Sequence, residues 1–111
     1  MEAKASGERT GQVAVIYIFR RRDDDPAGYA QAAAAMDSLA ARQPGYRGLD
    51  GVRAPGGEGI TVSYWADEAA AVAWRDHTDH AATRERGRGR WYDSYHVIVT
   101  QVTRDYRWSA A

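Results

Sequence analysis

The chain has 111 residues, the length of one ordinary domain, and its 15 basic and 15 acidic residues cancel. Because positive charge is not in excess, we expect no nucleic-acid partner, and the absence of cysteine excludes disulfides and thiolate metal sites. We predict a disordered polar tail over residues 1–11 and a single domain over residues 12–108. The first apolar run is too short for a signal peptide or a membrane span, so we expect a cytoplasmic protein with no membrane partner.

The first predicted strand covers residues 12–20, where β-branched and aromatic residues follow one another without a breaker. Asp25 and Pro26 then suit the cap and the first position of a helix. Apolar residues at three- and four-residue spacing extend this helix to about Arg42, and Pro44–Gly45 ends it.

Two more strands and a second helix are predicted next. A weak strand at residues 46–53 is followed, after a glycine-rich turn, by a strand at residues 60–65. The second helix is predicted over residues 67–86, with acidic residues in its first turn where they complement the helix dipole. We expect Gly87 and Gly89 to break it and to place the residues around them in a loop.

A long final strand at residues 92–106 completes the pattern strand, helix, strand, strand, helix, strand. This order predicts a ferredoxin-like α+β fold, βαββαβ, in which a four-stranded antiparallel sheet carries both helices on one face. The strands are apolar on both sides, so the helix-free face would be an exposed apolar patch in a monomer. Packing two such faces across a twofold axis would bury it, which predicts a homodimer in the form of a dimeric α+β barrel.

The inner face predicted for the second helix is unusual in composition. Trp74, His77 and Arg84 lie with several alanines in one stripe, and His80 lies about 60° to its side. Small residues beside large side chains with polar tips leave volume against the sheet, which indicates a ligand pocket. The alternative interpretation is that Trp74 fills the core while His77 and Arg84 extend to solvent.

A metal site is not expected from the histidines. His77 and His80 are three residues apart, whereas the zinc-protease helix uses a four-residue spacing with a glutamate between the histidines. At most His96 could add a third nitrogen ligand.

The second helix is followed by alternating arginine and glycine. This spacing does not give a continuous basic stripe of the kind that follows nucleic acid. Arg86, Arg88 and Arg90 could contact an anionic ligand group, a partner chain or only water, and the sequence leaves these roles open.

Several short motifs resemble the antibiotic biosynthesis monooxygenase family of small dimeric α+β-barrel proteins. The motifs are Pro44-Gly45 before the second strand, Ser63-Tyr64-Trp65 at the end of the third, Ala73-Trp74 and His77 on the second helix, and Trp91-Tyr92 opening the last strand. The similarity extends from about Val13 to Trp108. It implies the same fold and dimer that the strand and helix pattern predicts.

The resemblance implies an oxidoreductase of antibiotic biosynthesis. The implied activity is a cofactor-independent monooxygenase that oxidises an aromatic or quinol-type small molecule with O2, in the tailoring of natural products such as polyketides. Haem-degrading members carry an Asn on the first strand and a His ten residues after the helical Trp. Here Tyr17 and Arg84 stand at those places although Trp74 matches, so haem is disfavoured and no cofactor or metal is expected.

Two alternative functions use the same pocket. One is a non-catalytic binder of haem or another planar hydrophobic ligand, and the other is an oxygen-independent cyclase or isomerase.

The monooxygenase interpretation assigns roles to particular side chains. His77 is the first candidate for the general base and His80 the second, because histidine titrates near neutral pH. Arg84, with Tyr17 or Tyr64, would hold the substrate oxyanion by charge-assisted hydrogen bonds. The flat aromatic walls of the pocket would be Trp65, Trp74, Trp91 and Tyr95.

Overall fold

The helices and strands follow the predicted order, with a divided second helix and two short extra strands. We describe a computed structural model over residues 4–5 and 8–110, with side chains from residue 8 onward. Its elements are β1 (Lys4–Ala5), β2 (Val13–Arg21), α1 (Pro26–Ala41), β3 (Tyr46–Arg53), β4 (Glu58–Trp65), α2 (Glu68–Asp76), α3 (Thr78–Arg90), β5 (Tyr92–Gln101) and β6 (Tyr106–Arg107). No helix within these residues is long and apolar enough to cross a membrane.

The four long strands form one antiparallel sheet in the order β3-β4-β2-β5, which confirms the predicted ferredoxin-like α+β fold. Strand β2 lies inside the sheet and pairs with both β4 and β5. Its alternate residues Val13 and Phe19 are buried on the face that carries the helices. Because side chains alternate along a strand, Ile16 and Ile18 point to the helix-free face.

Two buried clusters join the helices to the sheet. One contains Val13 and Trp65 of the sheet with Ala40 and Ala71 of the helices. The other contains Tyr29, Ala32 and Trp91, which lie toward the opposite end of β2. Their separation leaves the middle of the helix-facing side less tightly filled than its two ends.

Helix α1 begins and ends as the sequence predicts. The Asp25 carboxylate accepts a hydrogen bond from the Gly28 backbone N–H at 3.1 Å, and Pro26 occupies the first turn. These contacts satisfy a backbone donor that the helix itself cannot, which is why the chain turns into a helix here.

The second helix differs from the prediction in two ways. It is divided at His77, where the backbone is extended (φ −57, ψ 131), into α2 and α3. The expectation that Gly87 and Gly89 would end it was wrong, because α3 continues through both glycines to Arg90. Gly87 is buried, and a Cβ atom there would come within 2.8 Å of a Tyr92 ring carbon. This glycine therefore allows close packing of the helix.

The final strand is shorter than predicted. Strand β5 ends at Gln101, and the two-residue strand β6 pairs with β1, Lys4 opposite Arg107 and Ala5 opposite Tyr106. The Asp105 carboxylate accepts a hydrogen bond from the Arg9 backbone N–H at 3.3 Å, which links the chain between β5 and β6 to the start of the domain. Part of the segment predicted as a disordered tail, residues 1–11, thus forms a strand, while residues 1–3 and 6–7 lie outside the described residues.

Candidate functional site

Two groups of aromatic rings occupy the helix-facing side of the sheet. We call the first the tryptophan-histidine cluster; its members are Tyr46, Trp65, Trp74, His77 and His80. We call the second the tyrosine cluster; its members are Tyr17, Phe19, Tyr29, Trp91, Tyr92 and Tyr95. Within the described residues, no ring contact joins one cluster to the other.

Trp74 is the centre of the tryptophan-histidine cluster. Its ring stacks on His80 with centroids 4.2 Å apart and an interplanar angle of 10°. It also stacks on Trp65 at 6.0 Å and contacts His77 at 5.8 Å with tilted planes. The indole thus connects the buried end of β4 to two imidazoles at the junction of α2 and α3.

The His80 ring is fixed in one tautomer. Its Nδ1 lies 2.9 Å from the Trp74 carbonyl oxygen, which can only accept, so Nδ1 carries the proton and Nε2 is the unprotonated nitrogen of the neutral ring. Burial lowers the pKa of His80, although the Trp74 carbonyl acts in the opposite direction; nearby Arg84 and His77 lower it further. The ring is therefore neutral at pH 7 and able to accept a proton.

His77 has a different environment. Its Nδ1 accepts a hydrogen bond from the Asp79 backbone N–H at 3.2 Å and so caps the start of α3. The break at this residue also means that a single helical wheel does not describe both helices. Trp74 lies on α2 and Arg84 on α3, with His77 between them, so these residues do not form the single helical stripe that was predicted.

Arg84 lies on α3 and reaches back to α2. Its Nη1 donates to the Arg75 carbonyl oxygen at 3.2 Å. This contact closes the corner between the two helices and keeps a guanidinium group near His80. A positive charge in this position disfavours protonation of the imidazole.

The tyrosine cluster is built on β2 and β5. Tyr17 stacks on Tyr95 with centroids 5.2 Å apart, and Tyr92 is 5.7 Å from Tyr17. Burial raises the pKa of both Tyr17 and Tyr92, so these phenols stay protonated. Arg88 donates from Nε to the Tyr95 hydroxyl oxygen and pairs with Glu85.

The sheet between the two clusters is partly open. Val15, like Trp74, packs against the buried cluster that contains Trp65, and Tyr17 follows on the same face about 7 Å further along β2. Their partners on the edge strand β5 are Val99 and Val97, which are 56% and 44% exposed. We call this strip of Val15, Tyr17, Val97 and Val99 the inner strip. It is an apolar surface that begins beside Trp74 and ends at a stacked pair of tyrosines.

Three of the aromatic residues predicted to contact a ligand are not available on the inner strip. Trp65 is fully buried and Trp91 is 3% exposed, so both are core residues. Tyr64 directly precedes Trp65 on β4, so it points to the opposite face of the sheet. There its hydroxyl donates to the Asp50 carboxylate at 3.0 Å, and the guanidinium of Arg9 lies 3.8 Å from its ring centroid.

Two residues at the tyrosine cluster, Tyr92 within it and Arg88 beside it, were not assigned from the sequence. Arg88 was expected in a mobile loop because glycines flank it, but it lies on α3 and bonds to Tyr95. Tyr92 was not assigned a direction because the register of β5 was unknown. A sequence signal for both was available, because Arg88 comes shortly before Tyr92 and Tyr95 at the point where the helix leads into the last strand.

Two cavities stand out among the residues that the structure describes, and His80 lines neither. One, of about 360 Å³, lies beside Trp74 between the Pro44–Gly45 turn and the start of α2. The other, of about 520 Å³, is a groove on the helix-free face bounded by Ile18, Val52 and Ile60. Asp67, the cap of α2, lines the first cavity, and Glu58 and His96 line the groove, and neither cavity contains His77 or His80.

No metal-binding group emerges from the described residues, in which no three His, Cys, Asp or Glu side chains come together. His96 is opposite Ile18 on β5 and therefore points to the helix-free face, away from His77 and His80.

Comparison with known proteins gives the same architecture. YqjZ, an uncharacterized protein of Bacillus subtilis, is 48% identical over 91 residues, which are 82% of this chain and 79% of that protein. SnoaB, described as a cofactor-independent oxygenase from Streptomyces nogalater, superposes with a TM-score of 0.68 at 17% identity, covering 85% of this chain and 97% of that one. A dimeric ferredoxin-like protein of unknown function from Thermobifida fusca superposes with a TM-score of 0.68 at 19% identity, covering 85% and 93%. The sequence model of the antibiotic biosynthesis monooxygenase family matches residues 12–86, and the chain belongs to this family.

Proposed function

We propose that the protein is a cofactor-independent monooxygenase that oxidises an aromatic or quinol-type small molecule with O2. Family membership supports an oxygenase, and the similarity to SnoaB supports a reaction without a cofactor. The observation that carries the proposal is the His80 imidazole, which is stacked on Trp74, held as one tautomer and kept neutral by burial. A neutral, oriented imidazole beside an apolar surface is what deprotonation of a phenol requires.

The reaction begins with proton transfer to Nε2 of His80. The substrate lies on the inner strip, and its phenol loses a proton so that the ring system becomes an electron-rich anion. For an anthrone, the hydroxyl that His80 deprotonates is that of the enol tautomer, in which the former CH2 carbon keeps one hydrogen. The anion gives electrons to O2, a C–O bond forms at that carbon, and the proton returns from His80 to the outer oxygen to give a hydroperoxide. Loss of water then leaves a quinone carbonyl: one oxygen atom stays in the product, the other leaves as water with the two hydrogens of the CH2 group, and no external reductant is needed.

The substrate anion needs donors that remain protonated. Tyr17 meets this requirement because its raised pKa keeps its hydroxyl group intact at neutral pH. Arg84 adds a fixed positive charge on α3, and Arg88 orients Tyr95. Where a bound aromatic ligand covers the inner strip and displaces water, such donors stabilise a developing oxyanion more strongly than in solvent. Tyr64 is left out of this proposal, because it lies on the other face of the sheet.

The proposal includes a homodimer formed by the helix-free faces of two sheets. This face carries the exposed residues Ile18, Ile60 and Ile98, together with Val52 on β3. Such a patch is unusual on a monomer and suits a second copy of the same surface. The similarity to a dimeric ferredoxin-like protein supports this arrangement.

The test is a titration of the purified protein with phenolic anthrones and hydroquinones in which tryptophan fluorescence and dissolved oxygen are followed together. Trp74 is half-buried beside the inner strip, so a bound ligand is expected to quench fluorescence. The proposal expects quenching together with oxygen uptake. Quenching without uptake would instead support the non-catalytic binder, and conversion of the ligand without uptake would support the cyclase or isomerase.

A further inference from the structure

Two guanidinium groups converge on one buried tyrosine at the end of the sheet near the start of α1. The Arg21 Cζ atom is 3.8 Å from the centroid of the Tyr29 ring, and the Arg53 Cζ atom is 5.2 Å from it. Tyr29, a residue of α1, is buried in the core with Trp91, so the position of its ring is fixed. The π face of a phenol attracts a cation, and here two cations approach the same ring.

Neither guanidinium has a carboxylate at salt-bridge distance within the part of the chain that the structure describes. Arg20, next to Arg21 on β2, is by contrast paired with Glu58 at 2.8 Å. Asp37 of α1 interacts electrostatically with Arg53 but forms no ion pair with it. Positive charge is therefore concentrated at Tyr29 without a directly bonded counter-charge.

Arg21 also has a buried donor without an acceptor. Its Nε atom is shielded from solvent and makes no hydrogen bond within the described residues. Buried donors on charged groups almost always have an acceptor in native proteins, whether a protein group, an ordered water or an ion, so the Arg21 Nε atom is a position where an acceptor is expected. The Nε–H and one Nη–H of a guanidinium lie in one plane and point in the same direction. Together they can donate to the two oxygen atoms of one acceptor group.

We propose that Arg21 and Arg53 form a binding site for an oxyanion, with Tyr29 as the platform that holds both guanidinium groups. The ligand group is a carboxylate or a phosphate, because both present oxygen pairs that fit the guanidinium fork. The site lies by the tyrosine cluster, whereas Trp74 and His80 belong to the other cluster. Anion binding here involves neither His80 nor O2 and can be tested without a substrate.

The test is isothermal titration calorimetry of the full chain with inorganic phosphate and, separately, with acetate, at constant ionic strength set by sodium chloride. We expect saturable binding of one anion per chain for at least one of the two, which also distinguishes the phosphate from the carboxylate. Arg21→Gln and Arg53→Gln should each weaken binding about tenfold or more, because each removes a charge-assisted hydrogen bond. Arg42→Gln removes the same charge from an exposed position at the end of α1 and should leave binding unchanged.

A conservative variant separates bonding geometry from net charge. Arg21→Lys keeps the positive charge but places no N–H at the position of Nε, so we expect it to weaken binding about as much as Arg21→Gln. Circular dichroism and the melting temperature check that each variant is folded. If Arg21→Gln does not fold, the exposed Arg53→Gln variant carries the test.

Three results would overturn the proposal. They are the absence of saturable binding for both anions, equal weakening by Arg53→Gln and Arg42→Gln, and unchanged binding in a folded Arg21→Lys variant.

Discussion

His80 has surroundings that differ from those of His77, the other histidine of the same segment. Its ring lies flat on Trp74, and the carbonyl of that same tryptophan holds its Nδ1 proton. His77, three residues earlier, uses its Nδ1 to cap a helix. Two histidines in the same short segment thus have different surroundings. Only His80 combines a pKa lowered by burial with an Nε2 atom that can accept a proton.

The pH dependence of turnover tests this assignment. Burial lowers the pKa of His80, so we expect kcat/KM to rise with pH as His80 loses its proton, with a midpoint below the usual histidine value of about 6.5. His80→Gln should abolish this rise and lower kcat/KM about hundredfold or more. The measurement is a kcat/KM profile for an accepted anthrone between about pH 4.5 and 8.

A second variant decides between the two histidines. His77→Asn retains a side chain that can cap α3, so the fold should be kept. If His80 is the base, kcat/KM of the His77→Asn variant still rises with pH as it does in the wild type. Loss of this rise in His77→Asn, together with its persistence in His80→Gln, would reverse the assignment.

The sequence placed Trp74, His77, His80 and Arg84 together, and the structure brings these four residues to one junction. From the sequence, His77 ranked before His80 as the base, and we propose the reverse order. The difference between their surroundings depends on a helix break at His77 that has neither glycine nor proline to mark it. Trp65 and Tyr64 illustrate a second limit. The motif that contains them shows that both are present but not which one faces the helices, since this depends on strand register.

At the scale of elements, α3 is the helix whose extent was least predictable. Glycine normally weakens a helix because it loses more backbone freedom on folding than any other residue. Here α3 continues through two glycines, and the structure gives them different surroundings. Gly87 is buried against Tyr92 and Trp91, whereas no atom lies within 4 Å of a Cβ built at Gly89. The close packing at Gly87 explains why that position has no side chain, whereas the open space around Gly89 gives no such reason.

The two glycines make a matched pair for a stability experiment. Gly89→Ala should raise the free energy of unfolding by about 0.5 to 1 kcal/mol, because alanine favours the helix and meets open space. Gly87→Ala gains the same helix preference but forces a methyl group against the Tyr92 ring, at a cost of about 1 to 3 kcal/mol. Urea denaturation compares the variants. Equal stability of Gly87→Ala and Gly89→Ala would show that the packing of α3 on Tyr92 is not as described.

The order of the elements was predictable because hydrophobic periodicity reports each helix and strand separately. The boundaries of the elements were less predictable than their order. Strand β5 ends at Gln101 because the chain then bonds to the segment around Arg9. This contact joins residues nearly the whole chain length apart, and local patterns contain no information about it.

At the scale of the whole molecule, the sheet has helices on one face only. Strand β2 is apolar on both faces, and the side away from the helices leaves Ile18, Ile60 and Ile98 exposed. The sequence therefore contained the reason for a second layer, since both parities of its strands are apolar. It contained no information on which part of that face would make contact in the proposed dimer.

A single charge on this face should separate the proposed dimer. Ile60→Asp places an uncompensated carboxylate where the two sheets would meet, and we expect a monomer at micromolar concentration in sedimentation equilibrium. Val72→Asp makes the same kind of change at an exposed position on α2 and should remain dimeric. A wild-type protein that sediments only as a monomer, or an Ile60→Asp variant that remains dimeric, would contradict this arrangement.

The central claim is that the chain transfers an oxygen atom from O2 to an aromatic ligand using its own side chains. The most direct measurement is the product mass after turnover of a phenolic anthrone under ¹⁸O2, with wild-type protein and His80→Gln prepared in the same way. We expect the wild-type product to gain one labelled oxygen atom, and the variant to form it about hundredfold more slowly. A product without label, or a labelled product formed equally fast by His80→Gln, would contradict the account.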